Sequence, residues 1–398
     1  MNAHLVESRG PVTDTRSFVV FSDDWGEHPS SSQHLFRHIA AHHPVIWVNT
    51  IGMRRPTASI SDLHKAWRKV YGMCSSWGRR DVSDRDLTGV TVCQPLMLPA
   101  DRSGLLRAFN ARSVTRAVHG LVARANLCKP IVVSTVPNVG DYPGLLRDST
   151  LVYYCVDDFA HWPGLDTELV GDMEQRLITR ADVLVATSGR LYERLAASGK
   201  PTYLLSHGVD VALFSSHAAE EHSCLKGIPK PRAGFFGLID SRIDQELLAL
   251  VAERVPDFSL VFSGPIDAPL DRLAARKNVH FTGPVRYGEL PSLIAGLDVL
   301  LIPYAAGEFA DTLSPLKLKE YLSTGKPIIS TPIAAARDFR HYVTIAGSAE
   351  EWVDGLRLAL STDPETRRKA ILPSMEAESW VYKARTLLEI CVSHARGG

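Results

Sequence analysis

The segment Asp311–Thr331, DTLSPLKLKEYLSTGKPIIST, gathers the residue types that would hold an anion. Ser314 followed by Pro315 reads as a helix start, with Ser as N-cap and Pro at the first helical position, where its missing N–H has no bond to lose. Gly325 and Pro327 end that helix. Unpaired N–H groups and the positive end of the dipole at its start suit a phosphate. Leu316 and Lys317 fall in the first turn, where a cation opposes the dipole unless an anion lies between them. Glu320, three residues on, shares the face of Lys317. The lysine could then meet a diphosphate while the carboxylate accepts hydrogen bonds from ribose hydroxyls. An exposed Lys–Glu pair on an amphipathic helix is the alternative.

A second constellation is Asp157-Asp158, at the end of the apolar run LVYYCV. Two adjacent carboxylates at a strand's carboxyl end suit general-base work, since like charge and partial burial favour one of them taking a proton. Asp157 is the first choice and Asp158 the second; a loop or helix-capping carboxylate is the alternative. Asp23-Asp24 and Asp157-Asp158 are adjacent pairs, not spaced as D-x-D, so no essential metal is expected. The stretch Asp23-Asp24-Trp25-Gly26…Ser30-Ser31-Ser32-Gln33-His34 reads as a polar loop with a Ser-rich helix start. No strand exit carries G-x-G-x-x-G, which counts against an NAD-dependent enzyme.

These residues need a scaffold, and the apolar runs supply one. In the first half they are Ser17–Ser22, Pro44–Asn49, Gly89–Cys93, Pro130–Thr135, Leu151–Val156 and Asp182–Thr187. In the second half they are Ala233–Gly237, Phe258–Gly264, Asn278–Gly283, Asp298–Pro303 and Pro327–Thr331. Near-continuous apolar strands alternating with helical stretches predict parallel sheets covered on both faces, hence an α/β fold of two doubly wound, Rossmann-like domains. Ligands in such sheets bind beyond the carboxyl ends of the strands. Gly237 would allow close backbone approach to phosphates there, and Arg242 could add a second cation, although a tight turn and a surface charge explain them equally well. Ser206-His207-Gly208-Val209-Asp210 and the polar stretch to Arg232 read as an interdomain linker, with His207 structural. The predicted boundaries are 1–207, 208–373 and a tail, 374–398. Its helix, Ser374–Ala395, aligns Trp380, Ala384, Leu387, Leu388 and Cys391 on one stripe.

The 398 residues carry no net charge, so bulk electrostatics names no partner. Charge distribution is uneven: Ile51–Pro130 holds 14 Lys and Arg against 5 Asp and Glu. Within it Asp62–Tyr71, DLHKAWRKVY, sets Leu63, Ala66, Trp67 and Val70 against Lys65, Arg68 and Lys69, and Arg107, Arg112, Arg116 and Arg124 follow. A basic amphipathic helix of this kind could rest on anionic lipid; packing on the core is the alternative. A nucleic-acid-binding module is missing. Six scattered cysteines without metal-ligand spacing read as reduced thiols. The start lacks a signal-peptide pattern and no run reaches the ~18 apolar residues of a membrane span. The expectation is a cytoplasmic protein, peripheral to the membrane's inner face.

SPLKLKEYLSTGKPIIS resembles the donor-binding helix of GT-B glycosyltransferases of the bacterial cell-surface polysaccharide type: glycosyltransferase family four, teichuronic-acid transferases and the glucuronosyltransferase of xanthan assembly. LVYYCVDDF, SHGVDVALF, GFFGLIDSRID, NVHFTGPVRYGELP, DVLLIPY and the Trp380 helix extend the resemblance along most of the chain. It implies two domains facing a cleft, with the last helix crossing back to the first domain. It implies that Lys317 and Glu320 hold the nucleotide and that Pro284, Val285 and Arg286 touch the base. It places Tyr304 along the donor site, an aspartate base at Asp157, and Gly26, Ser32 and Gln33 at the acceptor. Family four has a second glutamate eight residues before the one matching Glu320; here that position is Thr312, a departure toward the xanthan-type enzyme. The expected activity is inverting, metal-independent transfer from a nucleotide-diphosphate sugar, with UDP the favoured nucleotide, to a saccharide or lipid-linked acceptor. No cofactor is expected beyond that co-substrate. A GT-B nucleotide-sugar epimerase and a non-catalytic nucleotide-sugar-binding partner are the alternatives.

Overall fold

The computed structural model describes residues 15–26, 30–50, 89–98, 102–142, 148–159, 165–216, 220–305 and 316–395. It separates into two compact units, one of Met1–Ser206 with Trp380–Gly398, the other of His207–Ser379. Ser314, Pro315, Glu308, Asp311, Thr312 and the amphipathic stretch Asp62–Tyr71 lie outside the described residues.

The first unit holds seven strands: β1 (Phe18–Ser22), β2 (Val45–Asn49), β3 (Val90–Cys93), β4 (Ile131–Ser134), β5 (Leu151–Cys155), β6 (Val183–Ala186) and β7 (Thr202–Leu204), in the order β3-β2-β1-β4-β5-β6-β7. Every pairing is parallel. Both faces are apolar, as the continuous runs require. Phe18, Val20, Trp47 and Tyr154 point to one side; Val19, Phe21, Val48 and Tyr153 point to the other.

The second unit holds β8 (Arg232–Phe236), β9 (Ser259–Ser263), β10 (Val279–Phe281), β11 (Val299–Ile302), β12 (Ile328–Ser330) and β13 (Thr344–Ile345), ordered β10-β9-β8-β11-β12-β13 and again all parallel. In each sheet the strand order reverses beside the unit's first strand, between β1 and β4 and between β8 and β11. A crevice outside the strand ends opens at such a reversal.

The chain leaves the first unit at Ser206, and the stretch from there to Arg232 packs within the second unit. Val209 bridges Ser379, Asp210 caps the helix Val211–Ser215, and Phe214 and Leu225 are buried in the second unit's core. The tail is not one helix from Ser374. Helix Pro364–Glu376 ends first, and a separate helix, Trp380–Ser393, begins after a short break. Pro373 inside the earlier helix disguised the break as an N-terminus. The later helix belongs to the first unit, where Trp380, Ala384, Leu387, Ile390 and Cys391 bury against the face bearing Phe18 and Trp47. Trp380 stacks on His34 at 4.8 Å. That makes His34 a packing residue. Among the described residues no helix is long and apolar enough to cross a membrane.

Candidate functional site

In the second unit the strand exits nearest the reversal carry Gly237, after β8, and Tyr304, after β11. Helix Leu316–Thr324 follows β11 and is fastened to β8 by the Phe236 N–H, which donates to the Tyr321 hydroxyl at 3.2 Å. This brings Lys317 beneath the β8 exit. Its Nζ lies 5.1 Å from the Phe235 ring centroid and 5.5 Å from that of Phe236, both cation–π distances. Gly237 has φ +131, and a Cβ there would sit 2.3 Å from the lysine Nζ. Gly264, at the β9 exit with φ +154, passes so close that its Cβ would lie 1.9 Å from the Gly237 carbonyl oxygen. Two side-chain-free strand ends therefore make the floor on which the ammonium rests.

The electrostatics are unsettled. Lys317 makes no hydrogen bond or ion pair among the described residues. Burial lowers its proton affinity, Glu320 partly restores it and Arg242 lowers it further. Glu320 is 7% exposed. Burial raises its carboxyl above the usual range, against the pull of Lys317. A cation and a carboxylate, desolvated together without direct pairing, are the sort of groups an incoming polar ligand satisfies.

Arg242, expected as a second cation, is paired. Its guanidinium grips Asp240, with Nε to Oδ1 at 2.8 Å and Nη2 to Oδ2 at 2.7 Å. The Asp240 carboxylate raises its proton affinity, and most of its charge is compensated. The turn it occupies is locked to the β11 exit, since Ile243 bridges Tyr304. Tyr304 is 7% exposed and edge-on to Phe235. After β10, Pro284 and Arg286 are exposed and Val285 packs on the core. Leu316 is the first described residue of the helix and is exposed.

In the first unit, Asp23 organises the β1 exit. Its Oδ1 accepts from Ser22 at 2.6 Å and Ser30 at 3.0 Å, and its Oδ2 from the Gln33 amide at 2.9 Å. Gly26, at φ +85, donates its N–H to Gln33 Oε1 at 3.0 Å. Ser32 and Gln33 are 2% and 0% exposed. Their polar atoms hold the loop from within. Gly26 stays near the surface.

At the β5 exit the two aspartates part company. Asp157 is exposed, and its Oδ1 accepts the Asp158 N–H at 2.8 Å. Asp158 is half-buried with Arg190 at 3.8 Å. Beneath them is a buried cluster. Glu174 accepts from the Tyr153 hydroxyl at 2.6 Å and from both Arg194 amino groups at 2.7 and 3.0 Å. The Cys155 thiol, pushed up to about 12 chiefly by burial, donates to the Asp157 carbonyl at 3.4 Å. That ties the cluster to the aspartate turn.

Sequence reading missed Gly264, Asp240, Tyr287 and Lys319. FSG after β9 repeats the FFG after β8, a signal that was available for Gly264. Tyr287 packs edge-on to Phe214; burial raises its hydroxyl's proton affinity, with Glu320 and Asp210 adding to the effect. Lys319 donates to the His207 carbonyl and the Glu378 carboxylate, each at 2.5 Å. His207 is driven down to about 4, first by burial and then by Lys319, which fits a neutral, structural ring.

Residues 232–362 match the family described as Glycosyl transferases group 1. TuaH of Bacillus subtilis, named for teichuronic acid biosynthesis, is 30% identical over 173 residues, 41% of this chain and 44% of that protein. D-inositol 3-phosphate glycosyltransferase of Corynebacterium aurimucosum is 25% identical over 257 residues, 56% of this chain and 60% of that one. The chain thus spans about half the length of the curated relatives it matches. Among solved structures, Anabaena HepE in complex with UDP and glucose superposes with a TM-score of 0.62 at 13% identity, covering 94% of this chain and 99% of that one. Residues 232–362 are thus similar to the glycosyl transferases group 1 family, and the chain has the two-sheet GT-B fold.

Proposed function

We propose that this protein transfers a sugar from a nucleotide-diphosphate donor, a UDP-sugar in preference, to a hydroxyl of a saccharide or lipid-linked acceptor in surface-polysaccharide assembly. The carrying observation is Lys317: an ammonium on a glycine floor at the sheet's reversal, in the first described turn of a helix, with no ion pair among the described residues. A pyrophosphate supplies the missing charge. Glu320 then accepts from the ribose, and Tyr304 and the segment Pro284-Val285-Arg286 flank the nucleotide. HepE, a fold neighbour, was solved with UDP and glucose, and TuaH's name concerns a cell-wall polymer; both support the reading.

In the reaction, Asp157 takes the acceptor's hydroxyl proton and the oxygen attacks the anomeric carbon. The bond from that carbon to the diphosphate oxygen breaks, and its electron pair leaves on the nucleotide. Lys317 and the helix start meet the developing negative charge, so the scheme needs no metal. Displacement by the acceptor itself inverts the anomeric centre. The test is a panel of nucleotide sugars with UDP release as readout and NMR of the product. Acceptor-dependent release with an inverted product is expected; retention would exclude the Asp157 displacement, and free epimer with UDP would favour epimerase chemistry.

Membrane association belongs to the same reading. Helix Gly104–Arg124 contains Arg107, Arg112, Arg116 and Arg124 and no acidic residue. It leaves Leu105 85% and Phe109 41% exposed. Apolar residues next to arginines suit an anionic interface, where each cation contributes about 1 kcal/mol. Flotation with vesicles containing phosphatidylglycerol should recover the protein at low salt, and Arg112→Glu with Arg116→Glu should return it to the soluble fraction. Equal recovery from neutral vesicles would remove the electrostatic part of this reading.

A further inference from the structure

The chain passes between its two units twice, at Ser206–His207 and at Ser379–Trp380. Within the second unit these two passages run side by side. The Val209 N–H donates to the Glu378 carbonyl at 2.9 Å, and Val209 bridges Ser379 in parallel register. Helix Leu316–Thr324 reaches both through one side chain. Lys319 is 7% exposed, and its ammonium donates to the backbone carbonyl of His207 and to the carboxylate of Glu378. Asp210, next in line, caps the helix that packs Phe214 into the same core.

A lysine seldom lies this deep unless its charge is matched. The match here is specific: one neutral acceptor on the first passage and one charged acceptor on the second. Swapping such a buried pair for apolar residues usually leaves stability little changed or improved, so fold stability alone does not explain it. What the pair adds is a fixed connection. The same two turns of helix carry Lys317 and Glu320 on one face and Lys319 on another, so displacing the helix displaces both passages.

We propose that Lys319 is a positioning residue: it clamps both interdomain passages to the helix that seats the donor, making the order of those passages depend on donor occupancy. The proposal rests on the donor-site reading for its second half only. Hydrogen exchange tests the clamp without any ligand. In Lys319→Met, peptides covering 207–216 and 376–383 should exchange about tenfold faster than in the wild type. With UDP, the wild type should slow at these peptides and Lys319→Met should not. In steady state Lys319→Met should lose about tenfold in kcat with UDP affinity within about threefold, the split expected of a group that acts through geometry. Lys319→Arg, which keeps donors for both acceptors, should recover most of the loss. Unchanged apo exchange would overturn the clamp, as would a fall in UDP affinity matching the fall in kcat. If Lys319→Met does not fold, Glu378→Gln, which leaves the His207 contact, carries the same comparisons. A wild type that fails to bind UDP would refute the donor reading, while the apo exchange still decides the clamp.

Discussion

Asp157→Asn should reduce turnover about 10²–10⁴-fold, the range for removing a general base, with UDP affinity unchanged. Asp158→Asn should cost far less. The two carboxylates are neighbours in sequence and differ in what surrounds them. Asp158 is half-buried opposite Arg190 at 3.8 Å, a pairing that offsets its charge and turns it toward the helix Gly189–Ala196. Asp157 is exposed and receives the next backbone N–H on Oδ1. That bond fixes the plane of the carboxylate and leaves Oδ2 for a hydroxyl proton. Asparagine keeps the accepting oxygen and the turn, so its effect isolates the loss of basicity. The measurement is acceptor-dependent UDP release, with thermal unfolding as a control. Equal turnover in wild type and Asp157→Asn would remove the base from this residue, and a larger loss in Asp158→Asn would transfer it.

The turn's support explains why sequence alone named the pair without ranking it. LVYYCV announces a strand, and its end announces a site. What separates the two aspartates is Arg190, 32 residues on, and the Glu174–Arg194 cluster that reaches Cys155. Such tertiary partners leave no periodic trace. The same holds for the β1 exit. Ser32 and Gln33 were legible as polar residues at a helix start, but only the fold shows Ser22 and Asp23 drawing them inward. Conversely, the interior strands were readable because burial on both faces forces unbroken apolar runs. The strands β7 and β13, three and two residues long and not fully buried, lack such a run and were not. Lys317 and Glu320 could be named together because helix geometry makes them neighbours by spacing alone. Lys319, between them, carries no such signal, since its acceptors lie at the far ends of the unit's sequence.

Lys317→Met should lower kcat/KM about 10²–10³-fold, or roughly 3–4 kcal/mol of transition-state stabilisation if it acts as a preorganised donor to the leaving diphosphate. It should weaken UDP binding and raise the melting temperature of the apo protein. The last two belong together. Burial over Phe235 and Phe236 disfavours the charged ammonium, so its proton affinity in the fold lies below the ordinary lysine value. A lysine depressed in this way opposes folding at every pH below its folded value, and the opposition fades as pH rises through that value toward the unfolded one. Below that value the whole penalty is present, and methionine, of similar length and uncharged, removes it. A pyrophosphate does the reverse: it favours the charged form, so UDP affinity should fall as pH rises through the depressed value and become flat there in Lys317→Met. Arginine should not rescue, because the bulkier guanidinium would press on the Gly237 backbone, where even a Cβ would stand 2.3 Å from Nζ. Titration calorimetry across pH and thermal unfolding of the apo forms give the two readouts. A variant that is both less stable and still able to bind UDP would show that Lys317 serves the fold, and the donor would have to be sought elsewhere.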